Sequence, residues 1–153
     1  MGLQQDNRGI GYNTNQSRIA FASGGISGEG FLKGSQTRGD FVPEQHTDYI
    51  FSTVGEEWGF LGASIVILLF SYLMIRISKR AELQRNLFNK IYTYSTVTIL
   101  FSHFFINIGM VLGLVPTIGI PLPFLSYGGS SLIGFIILFS IYIKLDSQRT
   151  SKW

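Results

Sequence analysis

The chain has 153 residues, 46% of them hydrophobic and 14% charged, with a mean hydropathy of +0.28 and a pI near 9.3. Charged residues ordinarily supply about a quarter of a soluble sequence, so this composition excludes an ordinary soluble domain. Cysteine is absent, which excludes disulfides and thiol catalysis.

Residues 1–57 come first, with Arg8, Arg18, Lys33 and Arg38 against seven acidic residues, a net of −3. The segment Met1–Asp6 lacks the basic and apolar parts of a signal peptide, and Asp6 stands where a myristoylation site wants Ser or Thr. Gly24-Gly25 and Gly28-Glu29-Gly30 are turn signals, while Ile19-Ala20-Phe21 and Gly30-Phe31-Leu32 are apolar enough to dock. The glycines make no P-loop, because no Gly-Lys-Ser/Thr follows at the required spacing. The region reads as a long extracytoplasmic loop, and loops of that length are more often functional than idle.

Three apolar runs follow: Trp58–Ile75 with 18 residues, Ile91–Val115 with 25 and Phe124–Ile143 with 20. A spanning helix needs about 20 predominantly apolar residues. Tyr49, Ile50, Phe51 and Val54 lengthen the first run, so spans are expected at about 49–77, 91–115 and 124–143. Residues 58–153 hold eight Lys/Arg against Glu82 and Asp146, a net of +6. Arg76, Lys79, Arg80, Arg85 and Lys90 sit between the first two spans, and Lys144, Arg149 and Lys152 follow the third. Such flanking charge belongs to a membrane protein and not to a nucleic-acid footprint. The positive-inside bias puts the basic loop and the C-terminus in the cytoplasm and residues 1–57 outside. The fold class expected is an all-α integral membrane protein, three transmembrane helices behind a long outer loop. An outer segment with no span before it reads as the back end of a larger membrane protein.

The densest chemistry lies in Pro43–Phe51, at the outer boundary of the first span. If that helix starts near Thr47, then Asp48, Ser52 and Glu56 share one face at i, i+4 and i+8, with Glu57 beside them and Glu44 and His46 just above. A carboxylate partly shielded from water beside another carboxylate suits a general base. Thr47 or Asp48 equally suits a helix cap, and one residue can serve both purposes.

His103 and Asn107 share a face inside the second span, where polar groups need partners; helix-to-helix hydrogen bonding is the plainer reading. No set of metal ligands is complete. Pro116–Phe124 carries three prolines and reads as a tight outer turn re-entering the membrane edge. Ser126-Tyr127-Gly128-Gly129-Ser130-Ser131 then opens the third span. Its small residues suit close helix packing, and its hydroxyls and free backbone N–H groups suit an anion such as pyrophosphate.

Together the motifs resemble the SEDS family of bacterial cell-wall polymerases, the RodA and FtsW type, with RodA the nearer. The matching stretches are Gly11-Tyr12-Asn13, Gln16-Ser17-Arg18-Ile19-Ala20, Ser23-Gly24-Gly25, Pro43–Phe51, Asn107–Leu114 and Gly119–Ser131. The resemblance implies the C-terminal part of a fold of about ten helices, covering its last large outer loop and final three helices. It implies a peptidoglycan glycosyltransferase of the cell-elongation machinery that controls cell shape, polymerising lipid II in the bacterial inner membrane, with activity incomplete in this segment alone. By the same resemblance Asp48 is the catalytic aspartate. Glu44, His46, Glu56, Ser126, Tyr127 and Ser130 are candidates for substrate contact. A divalent cation (Mg or Mn) and a class B penicillin-binding protein, the transpeptidase, are the implied cofactor and partner. The competing readings are a flippase for the lipid-linked precursor and a non-catalytic docking segment for the transpeptidase.

Overall fold

The computed structural model describes residues 15–30, 49–116 and 118–148. All regular structure in them is helical: α1 (15–23), α2 (Ile50–Glu82), α3 (Leu87–Val111) and α4 (Gly129–Gln148). The last three are each long and apolar enough to cross a membrane. This is a membrane protein.

The helix bounds differ from the apolar runs for a physical reason. α2 continues past Ile75 to Glu82, because Arg76, Lys79 and Arg80 are good helix formers and Lys79 and Arg80 lie favourably in the last turn. α3 begins at Leu87, ahead of its apolar run, and stops at Val111. There the Gly113 and Leu114 N–H groups donate back to the Met110 and Gly109 carbonyls at 3.0 and 2.8 Å, with Gly113 at φ 73°. That is a Schellman ending, whose left-handed residue glycine supplies without steric cost. α4 starts only at Gly129, since Phe124 at φ 64° and the turn closed by Leu125 and Ser126 on the Leu122 carbonyl keep the chain out of a helix before it.

α2 and α3 form an antiparallel hairpin, and α3 carries α4 on another side. Near the Tyr49 end, Ala20, Tyr49, Phe51, Ala63 and Val111 are buried together. At mid-depth Phe70 stacks on Phe104 with centroids 5.0 Å apart, and Leu122 from the α3–α4 connection packs into the same cluster. Nearer the other end, Ile77, Leu100, Phe135 and Tyr142 join all three long helices.

A polar clamp closes the Glu82 end. Arg80 pairs with Asp146 at 2.7 Å, and Gln84 donates to the second oxygen of the same carboxylate at 3.1 Å. Glu82 takes Lys90 at 3.2 Å and the Tyr94 hydroxyl. Tyr92 donates across to the Leu138 carbonyl at 3.2 Å.

Candidate functional site

The first turns of α2 carry the polar face expected from the sequence, and it points inward. Ser52 is 1% exposed, Glu56 0% and Glu57 9%. α2 begins at Ile50 with Tyr49 at the N-cap position, three residues after the start expected at Thr47. The Ser52 hydroxyl donates to the Tyr49 carbonyl at 2.7 Å and closes that first turn. Asp48, Glu44 and His46 lie outside the described residues. Ser52, Glu56 and Glu57 are gathered just beyond the segment that contains them.

Directly below the two glutamates, α2 breaks. Gly59 sits at φ 65° and ψ −163°, far from helical values and in a region open to glycine. Such a break frees the carbonyls of Glu56 and Glu57 and the N–H groups of Phe60 and Leu61, the partners they would otherwise have. The segment 24–30 takes up all four. Phe60 and Leu61 donate to the Gly25 and Ile26 carbonyls at 2.9 and 3.2 Å. The N–H groups of Glu29 and Gly30 donate to the Glu56 and Glu57 carbonyls at 2.9 and 3.1 Å. The loop therefore replaces two rungs of the helix ladder, which satisfies groups that cannot be left bare at membrane depth.

Only backbone can approach backbone this closely. A Cβ on Gly24 would overlap the Gly55 carbonyl, one on Gly28 the Glu57 carbonyl, and one on Gly59 the Gly28 nitrogen. Above the break, Phe21 of α1 lies on Phe51 with centroids 5.6 Å apart, and Gly55 leaves room for the Phe21 ring. The result is that α1 and its following loop lie directly against the first turns of α2.

The α3–α4 connection enters the bundle from the same end. His103 Nδ1 lies 3.3 Å from the Pro121 carbonyl, and the Asn107 amide donates to the Ile120 carbonyl at 2.8 Å. His103 is eight residues before Val111, which places Pro121 roughly 12 Å below the end of α3. So the expected re-entrant turn is present, and the polar pair in α3 anchors it. Proline suits position 121, because its carbonyl is the group being used and it has no N–H to satisfy.

The hydroxyl candidates separate into different situations. Ser126 is 5% exposed; its Oγ accepts the Leu122 N–H at 2.7 Å while its own N–H donates to the Leu122 carbonyl at 3.1 Å. Its hydroxyl therefore braces the turn. Tyr127 is 81% exposed and Ser130 is exposed at the start of α4, both open to a ligand. Among the described residues no three His, Asp or Glu side chains come together as a metal site. They do not form a cage for the expected cation.

Sequence reasoning missed the break at Gly59 and the insertion of 24–30. The available signal was a glycine between Trp58 and Phe60 in an otherwise bulky run, which marks a kink or a close approach.

The same chain order of motifs recurs in known proteins. The cell cycle protein family FtsW/RodA/SpoVE matches residues 3–151. The chain is 40% identical over 146 residues to the peptidoglycan glycosyltransferase MrdB of Escherichia coli (strain K12), covering 95% of this chain and 40% of that protein. It is 42% identical over 148 residues to a probable peptidoglycan glycosyltransferase FtsW of Geobacter metallireducens, covering 97% of this chain and 39% of that one. Among solved structures, a peptidoglycan synthase complex described as coordinating polymerization and crosslinking aligns with TM-score 0.73 and 26% identity, over 90% of this chain and 38% of that chain. A mutant of the rod shape determining protein RodA from Thermus thermophilus aligns with TM-score 0.68 and 29% identity, over 83% of this chain and 40% of that chain. The chain thus spans about two fifths of the length of these curated relatives. A match that runs through helices and connecting loops alike, from residue 3 to residue 151, leaves one assignment: the chain belongs to the FtsW/RodA/SpoVE family.

Proposed function

We propose that this chain forms the acceptor-activating part of a peptidoglycan glycosyltransferase that polymerises lipid II during cell elongation. One observation carries the reading: a buried Ser52–Glu56–Glu57 face lies directly beyond the Pro43–Phe51 motif, in a chain that matches relatives named as peptidoglycan glycosyltransferases. In this reading Asp48 takes the proton from the acceptor 4-hydroxyl. The resulting oxygen attacks the donor's anomeric carbon, a C–O bond forms, and the bond to undecaprenyl pyrophosphate breaks. The leaving group departs with the electron pair, and Asp48 passes its proton to solvent.

Glu44, His46, Glu56, Tyr127 and Ser130 are assigned to holding the sugars or tuning Asp48, and Ser126 to shaping the turn beside them. The proposal keeps Mg or Mn as a counter-ion of the pyrophosphate, with no residue and no step assigned to it. A class B penicillin-binding protein is the proposed partner, in line with the relative described as coordinating polymerization and crosslinking. The membrane is the bacterial inner membrane, with residues 1–57 outside and the C-terminus in the cytoplasm, as the basic α2–α3 connection favours.

The test joins this segment to a RodA-type N-terminal half, adds the partner transpeptidase and follows glycan synthesis from purified lipid II. Asp48→Asn is expected to lower synthesis about 100-fold or more at matched expression, the scale of a lost general base. Equal synthesis by both would overturn Asp48 as the base. A folded complex that moves lipid II across the membrane without polymerising it would replace the reading with a transporter.

A further inference from the structure

At the opposite end of the bundle, α2 presents a pocket with a chemistry that the polymerase reading does not use. A cavity of about 250 Å³ is lined by Tyr72, Ile75, Arg76, Lys79, Arg80 and Leu83. Residues 72, 76, 79 and 83 recur on one helical face. Its far wall toward the middle of the span is apolar and aromatic, and its end toward Glu82 is cationic.

The charge at that end is unbalanced. Asp146 is already held by Arg80 and Gln84, and Glu82 by Lys90 and Tyr94. Arg76 and Lys79 are both exposed and make no ion pair among the described residues. Arg80 is engaged by its carboxylate at 2.7 Å and stands beside the two unneutralised cations. Tyr72 and Ile75, at 63% and 55% exposure, continue the pocket along the helix into the apolar band. The volume lies below the roughly 300–1,000 Å³ of sites for drug-sized ligands and suits a headgroup whose tails run along the helix.

We infer that this pocket binds the headgroup of an anionic phospholipid in the leaflet at the Glu82 end. Arg76 and Lys79 contact the phosphodiester, and one acyl chain lies along Tyr72 and Ile75. Clusters of basic side chains at the membrane boundary attract anionic headgroups through summed charge. The guanidinium adds paired donors that fit a phosphate's oxygens.

Native mass spectrometry of the full chain in detergent tests the inference, with equimolar dioleoylphosphatidylglycerol and dioleoylphosphatidylcholine added. The wild type is expected to retain the phosphatidylglycerol over the phosphatidylcholine by roughly 10-fold, and to lose that preference as salt rises. Arg76→Gln with Lys79→Gln should abolish the preference. Lys144→Gln, at an exposed lysine of α4 outside the pocket, should preserve it. Arg76→Lys with Lys79→Arg keeps both charges and should also preserve it, which guards against a folding defect in the neutral variant. Equal retention of the two lipids by the wild type, a preference insensitive to salt, or a preference surviving the double neutralisation would each overturn the inference. A polyglutamate peptide that binds through Arg76 and Lys79, while neither lipid is preferred, would overturn it in favour of an acidic protein partner.

Discussion

The Phe60 N–H donates to the Gly25 carbonyl at 2.9 Å, where an unbroken helix would send it to Glu56. This single exchange ties a loop thirty-odd residues upstream to the helix that bears the buried carboxylates. Because Leu61, Glu29 and Gly30 complete the same exchange, four backbone groups at the break find partners. The glutamates are consequently held on a short, separately oriented piece of helix, with the loop fixing its angle to the rest of α2.

Gly59→Ala should destabilise the protein by more than about 2 kcal/mol. The substitution meets a backbone region that costs on the order of 1–3 kcal/mol for other residues, and its methyl group overlaps Gly28. Gly134→Ala is the counterpart: nothing lies within 4 Å of its Cβ in the middle of α4. There the gain in helix propensity, about 0.5–1 kcal/mol, should leave stability unchanged or raised. Thermal unfolding in detergent, followed by circular dichroism, should show a lowered midpoint for Gly59→Ala and an unchanged or raised one for Gly134→Ala.

Asn107→Leu removes the donor that holds the Ile120 carbonyl at 2.8 Å. Hydrogen bonds in membrane bundles average about 0.6 kcal/mol and reach about 1.7, so the fold should survive. The re-entrant turn should loosen. Hydrogen exchange over residues 118–126 is expected to speed up several-fold, while the Phe70–Phe104 layer keeps its protection.

The Arg80–Asp146 pair should contribute modestly. Arg80 keeps 39% of its side-chain exposure and Asp146 16%, so solvent screens much of the attraction. Asp146→Asn is expected to cost about 1 kcal/mol or less, and a double-mutant cycle with Arg80→Gln should return a coupling of the same order. A coupling above about 3 kcal/mol would mean that the pair behaves as a buried ion pair instead.

Glu56→Gln keeps the volume of a fully buried side chain and one acceptor oxygen, while replacing the other carboxylate oxygen with an NH2 donor. If Glu56 tunes the neighbouring base or grips sugar, glycan synthesis in the joined protein should fall about 10-fold or more with an unchanged unfolding midpoint. A fall in midpoint that accounts for the lost synthesis would make Glu56 structural.

The sequence by itself determined that three helices cross a bilayer. About 20 apolar residues are required whatever surrounds them, and the runs from Trp58, Ile91 and Phe124 satisfy that locally. It also determined that Ser52 and Glu56 share a face and that the segment after Val115 leaves the helix, since helical spacing and proline geometry act within a few residues. Where neighbours had to choose, local pattern left more than one reading open. Gly59 reads as one more residue of an apolar helix until Gly25 and Ile26 are brought against it. Ser126 reads as a free hydroxyl until Leu122 N–H occupies it, and nothing local to His103 and Asn107 announces that the carbonyls of Pro121 and Ile120 will reach them. These outcomes depend on hydrogen-bond partners far along the chain, and the requirement that every backbone group at membrane depth be paired selected them.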